Sequence, residues 1–312
     1  MAQVVLVTGG RGFFGRPLAE AIGRHGYEVA TPGRPDFDLM DRTSVDKTLL
    51  AVRPDIVVHS AAYYGGLGIC MAEPARIFHR NVLMTVNLLD AAAEAGVRRF
   101  VSISSACAYA GNITGDMREE DFWAGPLHPS VEAYGFTKKV QQVGLNAYAR
   151  QFGLKGQIQI ITNLYGENDV FAGNRPHVVA ALIKRFSDAV EAGADQVVCW
   201  GTGAPVREFL YVGDAAEAVA RLIENGSGEP LNIGTGVGTS IRQLAALVAR
   251  STGFDGKVVW DATKPDGVMR KVLDVSKMKE ALGWEPPTSL EAGLEKTIQW
   301  YLANKEEADA RP

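Results

Sequence analysis

The chain has 312 residues, of which 46% are hydrophobic and 22% charged, and its formal net charge is −4 at pH 7. That composition supports one large or two modest packed domains and excludes disorder, while slight acidity without any basic block excludes sequence-independent attraction to nucleic acid or to an anionic membrane surface. Cys70, Cys107 and Cys199 are too scattered for a disulfide framework or a metal cage, and with no signal segment or membrane-length apolar run the expectation is a soluble cytoplasmic protein.

Residues 4–22 read VVLVTGGRGFFGRPLAEAI. An apolar run from Val4 to Val7 ends in a turn holding Gly9, Gly12 and Gly15, and helical apolar spacing begins with Phe13, Phe14, Leu18 and Ile22. A buried strand, a tight turn and a helix make the first unit of a doubly wound α/β fold, and glycines let backbone N–H groups approach a pyrophosphate on the positive end of the helix. Tyr27–Ala30 reads as the second strand and ends in TPGRPDFDLMD. An acidic residue there would hold a ribose 2′-hydroxyl, and an arginine a 2′-phosphate. Arg34, joined by Arg11 from the glycine turn, favours the phosphate and hence NADP. Asp36 or Asp38 could instead hold the ribose of NAD.

A helix over 42–52 and then Pro54 lead into DIVVHSAA, an apolar strand of the kind covered on both faces in a parallel sheet. The loop AAYYGGLGI follows at a strand's carboxyl end, where open α/β sheets bind ligands. His59 at the end of that strand reads as packed core rather than catalyst. Residues 74–95 have helical spacing, with Asn81 and Asn87 among apolar neighbours and in need of partners. RRFVSISS then delivers SSACAYAG to the same sheet edge. In EAYGFTKK, Tyr134 and Lys138 lie four apart and share one helix face. A phenol with an ordinary pKa of about 10 becomes a usable proton donor or acceptor beside such a cation.

Beyond residue 165 the βα alternation gives way to shorter mixed elements. A helix over 177–191 carries Lys184 and Arg185; VVCWGTG follows, and Arg207 stands just before the apolar strand EFLYV, whose next helix begins near Gly213. LNIGTGVGTS contains a strand, a helix starts at Ile241, and KVVWDAT and a Pro-Asp-Gly turn precede a closing helix, Leu290–Leu302. The polar tail NKEEADARP is expected to fray.

Several of these segments are long and unusual: AAYYGGLGI followed by NVLMTVNLLDAA, SSACAYAG, ITNLYGENDVF, HVVAALIKRF, WGTGAPVREFLYVGD, NIGTGVGTSIRQLA and DATKPDGVMRKVLDVSK. With them the chain resembles, over nearly its whole length, the extended short-chain dehydrogenase/reductase family of NAD-dependent epimerase/dehydratase type, and within it the GDP-L-fucose synthases. The resemblance implies a Rossmann-type doubly wound parallel sheet with a smaller mixed α/β substrate domain. Residues 1–165 would bind NADP(H), with 207–235 returning to that domain, and 166–206 and 236–312 would bind a nucleotide sugar. Ser105, Tyr134 and Lys138 match the family triad, and Cys107 and His177 match the acid and base of an epimerisation. Positions matching the cofactor site are Gly9, Arg11, Gly12, Phe13, Gly15, Arg34, Asp38, Leu39, Ala61, Ala62 and Asn163, together with Tyr134, Lys138 and His177. Those matching the substrate site are Arg185, Trp200, Arg207 and Lys271. The implied activity is NADPH-dependent epimerisation at C3 and C5 and reduction at C4 of a nucleotide-linked 4-keto-6-deoxyhexose, with GDP-4-keto-6-deoxy-D-mannose as the leading substrate. A homodimer through the helices at 74–95 and 131–152 is implied as well; no metal, membrane or nucleic-acid partner is.

The chain departs from that pattern around the sugar. Tyr63 stands where the family has a lysine, Ala110 replaces a proline, Val268 and Met269 replace threonine-proline, and the run before the catalytic tyrosine reads PLHPSVEAYG. These changes keep open a reductase or epimerase of another nucleotide sugar. The other alternative is a noncatalytic NADP-sensing protein, against which the retained Tyr134 and Lys138 argue.

Overall fold

A computed structural model describes residues 2–223 and 228–311. The first half runs β1 (Val4–Thr8), α1 (Gly15–Arg24), β2 (Glu28–Ala30), α2 (Arg42–Val52), β3 (Ile56–His59), α3 (Leu67–Ala72), α4 (Pro74–Glu94), β4 (Arg99–Ser105), α5 (Glu132–Phe152) and β5 (Lys155–Ile161). The second half is more broken: β6 (Asn163–Tyr165), α6 (Val178–Glu191), β7 (Gln196–Trp200), β8 (Val206–Tyr211), α7 (Val212–Leu222), β9 (Leu231–Ile233), β10 (Gly238–Ser240) and α8 (Ile241–Thr252). It closes with β11 (Lys257–Asp261), β12 (Arg270–Lys271), α9 (Ser276–Leu282), α10 (Leu290–Ala303) and α11 (Lys305–Ala310).

The main sheet has six parallel strands in the order β2-β1-β3-β4-β5-β9. The middles of its central strands are buried, with Val5, Leu6, Val7, Val57, Val58 and Val101 fully covered, because helices lie on both faces. Leu18, Ala21 and Ile22 of α1 enter the same core, and α7 packs against α1. This is the doubly wound parallel architecture that the glycine turn implied.

A second sheet is built from β10, β8 and β12, with β6 added along β8. A parallel pair of β7 and β11 stands beside it. Another core, with Phe186, Leu244, Leu294 and Tyr301 at its centre, holds α6, α8 and α10 together. Ser240 and Gln243 cap α8 reciprocally: the Ser240 hydroxyl accepts from the Gln243 N–H at 3.1 Å, and the Gln243 side chain accepts from the Ser240 N–H at 2.9 Å. Glu208 of β8 is fully buried. Burial pushes its carboxyl up, against the pull of N–H donors from Leu273, Gly236 and Thr235, and these bonds fasten β8 to the ends of β9 and β12.

Two local expectations need correction. The tail does not fray: it forms α11 and docks, with Ala308 fully buried. Asp309 takes the Lys184 ammonium at 2.7 Å and the Tyr301 hydroxyl at 3.1 Å, and Arg311 donates to the Asn168 carbonyl at 3.1 Å. A polar composition hid a helical tail two of whose partners, Lys184 and Asn168, lie more than a hundred residues back. Arg207 lies inside β8 rather than ahead of it.

Candidate active site

The glycine turn between β1 and α1 closes on itself. A side-chain carbon at Gly15 would sit 1.9 Å from the Gly9 carbonyl oxygen, and Gly9 itself has φ +68°, so neither position accepts another residue without strain. The cradle is the open backbone at the start of α1, which suits a phosphate. Beside it, the Arg11 guanidinium donates to the Thr31 carbonyl at 3.3 Å and covers Gly33. Arg34 is 70% exposed and 3.7 Å from Asp38; the Asp38 carboxylate also accepts from the Met40 N–H at 3.0 Å. Two guanidiniums thus stand at the carboxyl end of β2, with Asp38 engaged in shaping its own turn. The chemistry of this donor set fits a 2′-phosphate. Leu39 is buried, and its carbonyl is held by the Asn87 amide at 3.0 Å.

Behind the turn runs a chain of hydrogen bonds. The Ala61 N–H donates to the Thr8 hydroxyl at 3.1 Å, and Thr8 meets His59 Nδ1 at 2.9 Å. His59 Nε2 lies 3.5 Å from the Thr85 hydroxyl, which donates to the Asn81 carbonyl at 2.8 Å. Asn81 in turn clamps Tyr63, accepting its N–H and donating to its carbonyl, each at 2.9 Å. The chain closes with a neutral imidazole, and burial lowers the His59 pKa to about 3, helped by the charge on Lys138. His59 is therefore a structural histidine that fixes the loop carrying half-buried Ala61 and exposed Ala62 beside Gly9. Both asparagines have found backbone partners.

Tyr134 and Lys138 occupy one face of α5, as their spacing requires. Both are buried; the Lys138 ammonium lies 5.3 Å from the Tyr134 ring centroid and donates to the Ile103 carbonyl at 2.9 Å. Burial lowers the Lys138 pKa to about 7, opposed by Cys107. Burial likewise drives the Tyr134 phenol well above its ordinary range, and the nearby thiols of Cys107 and Cys70 add to this. Tyr134 is thus held as a protonated phenol, suited to giving a proton rather than taking one. Ser105 ends β4 and caps the short turn 106–108, its hydroxyl accepting from the Cys107 N–H at 3.2 Å.

Cys107 is the meeting point of both sheets. Its sulfur lies 3.2 Å from the Lys271 ammonium of β12 and 3.5 Å from the Tyr64 hydroxyl. Burial opposes ionisation of this thiol, but Lys271, Tyr64 and Ser105 outweigh it, and the pKa falls below the ordinary thiol value. Tyr64 also stacks on Tyr134, with ring centroids 3.7 Å apart, and lies 5.7 Å from the His177 ring. His177 precedes α6 with Nδ1 at 3.7 Å from Asp169. Burial alone would lower its pKa; Asp169 and Cys107 raise it instead.

Thiol, imidazole and phenol therefore surround one ring, Tyr64, which opens onto a cavity of about 540 Å³. Asn163, His177, Arg207 and Lys271 line it, with Arg185 and Trp200. Arg207 is held by the Val206 carbonyl at 2.9 Å and the Asp266 carbonyl at 3.4 Å, and burial lowers its pKa. Arg185 donates to the Val198 carbonyl at 2.6 Å, and Trp200 is 60% exposed. Asn163 donates to the Glu208 carbonyl at 2.8 Å. Phe13 is half-buried in the glycine turn and does not line this cavity.

Sequence reasoning missed Tyr64 and Asp169. Tyr64 is one of two adjacent tyrosines in a small-residue loop at a strand's carboxyl end, and nothing nearby singles it out over Tyr63; Asp169 carries no such signal. The departures from the family pattern separate. Tyr63 turns to Glu73, bonding it at 2.7 Å, with Arg80 over its ring at 4.4 Å, and Ala110 is buried, whereas Val268, Ser130 and Val131 reach the cavity.

Comparison with known proteins agrees with this geometry. The model of the NAD dependent epimerase/dehydratase family matches residues 5–234. The chain is 38% identical over 303 residues to the probable GDP-L-fucose synthase 1 of Oryza sativa subsp. japonica, covering 96% of this chain and 92% of the relative. It is 35% identical over 315 residues to the GDP-L-fucose synthase of Escherichia coli (strain K12), covering 97% and 98%. A crystal structure of a GDP-L-fucose synthetase from Naegleria fowleri bound to NADP superposes with a TM-score of 0.88 at 28% identity, covering 97% of this chain and 95% of that one. The family match runs through the glycine turn and the Tyr134–Lys138 pair alike, and the chain belongs to the NAD dependent epimerase/dehydratase family.

Proposed function

We propose that the protein is an NADPH-dependent epimerase and reductase that converts GDP-4-keto-6-deoxy-D-mannose to GDP-L-fucose. The observation that carries this reading is the convergence of Cys107, His177 and Tyr134 on a single ring at the wall of a cavity bearing Arg185 and Arg207. A simple reductase needs one proton donor, whereas an epimerase acting beside a ketone needs a base and an acid as well.

A C4 carbonyl acidifies the protons on C3 and C5. Cys107 and His177 remove and return them, with the thiol's lowered and the imidazole's raised pKa favouring a thiolate facing an imidazolium. Ser105 and Tyr134 donate to the enolate oxygen as charge develops there. Arg185 and Arg207 bind the diphosphate and sugar, and Trp200 and Lys271 complete the wall. Gly9, Gly12 and Gly15 would hold the dinucleotide's pyrophosphate, Arg11 and Arg34 its 2′-phosphate, with Leu39 beside them, and Lys138 would hold the nicotinamide ribose. NADPH, when bound, supplies hydride to C4, and Tyr134 gives its proton to the resulting alkoxide.

Mixing the protein with GDP-4-keto-6-deoxy-D-mannose and NADPH in D₂O tests the whole sequence. Loss of reduced-cofactor absorbance with deuterium at C3 and C5 is expected; no turnover with this substrate removes it. A reductase of another 4-keto nucleotide sugar is favoured at one point only, the cavity contact of Val268, Ser130 and Val131; turnover of that other sugar in place of this one would select it, while turnover of this one without label leaves a reductase alone.

The functional unit in this reading is a cytosolic homodimer. Phe78 and Val86 of α4 are 43% and 46% exposed, and Phe136 and Val143 of α5 are 48% and 56% exposed. Each pair sits on one helix face, and α4 packs on α5, so a second copy set against both helices would cover these four apolar side chains. The free cysteines, all buried, suit a reducing compartment, and among the described residues no helix is long and apolar enough to cross a membrane. Sedimentation of Phe136→Glu as a monomer where the parent is a dimer would support the interface; a monomeric parent removes it.

A further inference from the structure

Lys271 was expected only to line the substrate site, yet its one hydrogen-bond partner among the described residues is a sulfur. The residue is 7% exposed, its ammonium lies 3.2 Å from Cys107, and no described carboxylate stands within ion-pair distance of it. A buried ammonium needs a countercharge. The surrounding groups leave few candidates. Tyr64 reaches the sulfur from the loop after β3 at 3.5 Å, and Ser105 touches the same turn through the Cys107 N–H. Cys70 of α3, Tyr134 and Lys138 of α5, Arg207 of β8 and His177 ahead of α6 face it through space. Burial pushes the Cys70 thiol up to about 12 and the phenols of Tyr64 and Tyr134 higher than usual, so these stay neutral. Among the described residues, the one group within hydrogen-bond distance of the Lys271 ammonium that can carry negative charge is the Cys107 sulfur.

We propose that Lys271 and Tyr64 are positioning residues that hold Cys107 as a thiolate, the ammonium by its charge and the phenol by donating its O–H to sulfur. The thiol proton leaves to solvent. Because Cys107 follows β4 of the main sheet and Lys271 belongs to β12 of the second, the reactive anion exists only where the two sheets meet. This deepens the proposed function and rests on Cys107 acting in the exchange at C3 and C5.

The test is the pH titration of ultraviolet thiolate absorbance, taken as parent minus Cys107→Ser in the full chain, so that Cys70 and Cys199 cancel. Lys271→Met should raise the midpoint by roughly 1–3 pH units, and Lys271→Arg should restore most of the shift. Tyr64→Phe, which keeps the ring stacked on Tyr134, should raise it by about one unit. Circular dichroism checks folding, and Tyr64→Phe carries the test alone if Lys271→Met does not fold. A parental midpoint in Lys271→Met, or in Tyr64→Phe when it stands alone, overturns the proposal even if the parent incorporates deuterium. Shifted midpoints with no deuterium at C3 or C5 in the parent support the thiolate contact and overturn the epimerase reading instead.

Discussion

The dinucleotide edge and the sugar pocket are built on different principles. At the first, the working parts are backbone and one contiguous stretch, Gly9 to Gly15, whose geometry is set by what cannot be added to it. At the second, the wall is made of side chains from positions 64, 177, 207 and 271, with 107 and 134 set against Tyr64, gathered from two sheets and the loops between them. The lesson is that binding of a common cofactor rests on a local turn, whereas the chemistry that distinguishes one relative from another rests on long-range packing. Substitutions should therefore separate the two.

The largest separation is expected at the acid–base pair. Cys107→Ala should lower deuterium incorporation by roughly 10²–10⁴-fold while cofactor binding persists and hydride transfer falls far less; equal loss of both would erase the division of roles. The pH profile of exchange sharpens the point. Exchange requires the thiol to have lost its proton and the imidazole to have kept one. With the first pKa lowered and the second raised, the rate should rise through a titration below the usual thiol range and fall through one above the usual histidine range. Next, Gly15→Ala should cost about 3 kcal/mol in NADPH binding or in folding, read by calorimetric titration and thermal unfolding, because its new carbon would meet the Gly9 oxygen. Unchanged affinity together with unchanged thermal unfolding would contradict the close approach of Gly15 to Gly9 on which the cradle rests.

A smaller effect tests the hydrogen-bond chain behind the turn. His59 is neutral in the fold, with its pKa lowered to about 3, so the unfolded chain takes up a proton that the native protein refuses. Stability is then intact above the unfolded histidine pKa and lost as pH falls, by about 2 kcal/mol between pH ~6.5 and ~5. Urea unfolding at the two pH values should show this loss in the parent, and His59→Gln should show a shallower pH dependence; identical slopes would contradict the burial argument. The smallest change is expected at the exposed arginines. Arg11→Ser and Arg34→Ser should each reduce the preference for NADPH over NADH by about tenfold, and a preference that survives both would assign the 2′-phosphate elsewhere.

Much of this was legible in the chain. The glycine spacing after an apolar run, the Tyr134–Lys138 pair one helical turn apart and the helix over residues 42–52 follow from short-range periodicity, and the structure reproduces them. His59 also read as core, since an apolar strand left it nowhere else to point. Illegible were contacts whose partners are distant in sequence. The bond between Lys271 and Cys107 spans 164 positions, and nothing near either residue announces the other. The docking of α11 was illegible for the same reason: its polar residues look solvated until Lys184 and Asn168 are brought beside them.

What the amino-acid order determined alone is the set of local units: strand, turn, helix, and the glycines without which the first turn cannot close. Those choices involve neighbours within a few residues, where sterics and hydrogen bonding act directly. What only the tertiary structure decided is the electrical state of the chemical groups. Burial and charges delivered by other elements raise the Tyr134 phenol, lower the Cys107 thiol beside Lys271 and keep His59 a neutral strut, because the free energy of a charge depends on its whole surroundings.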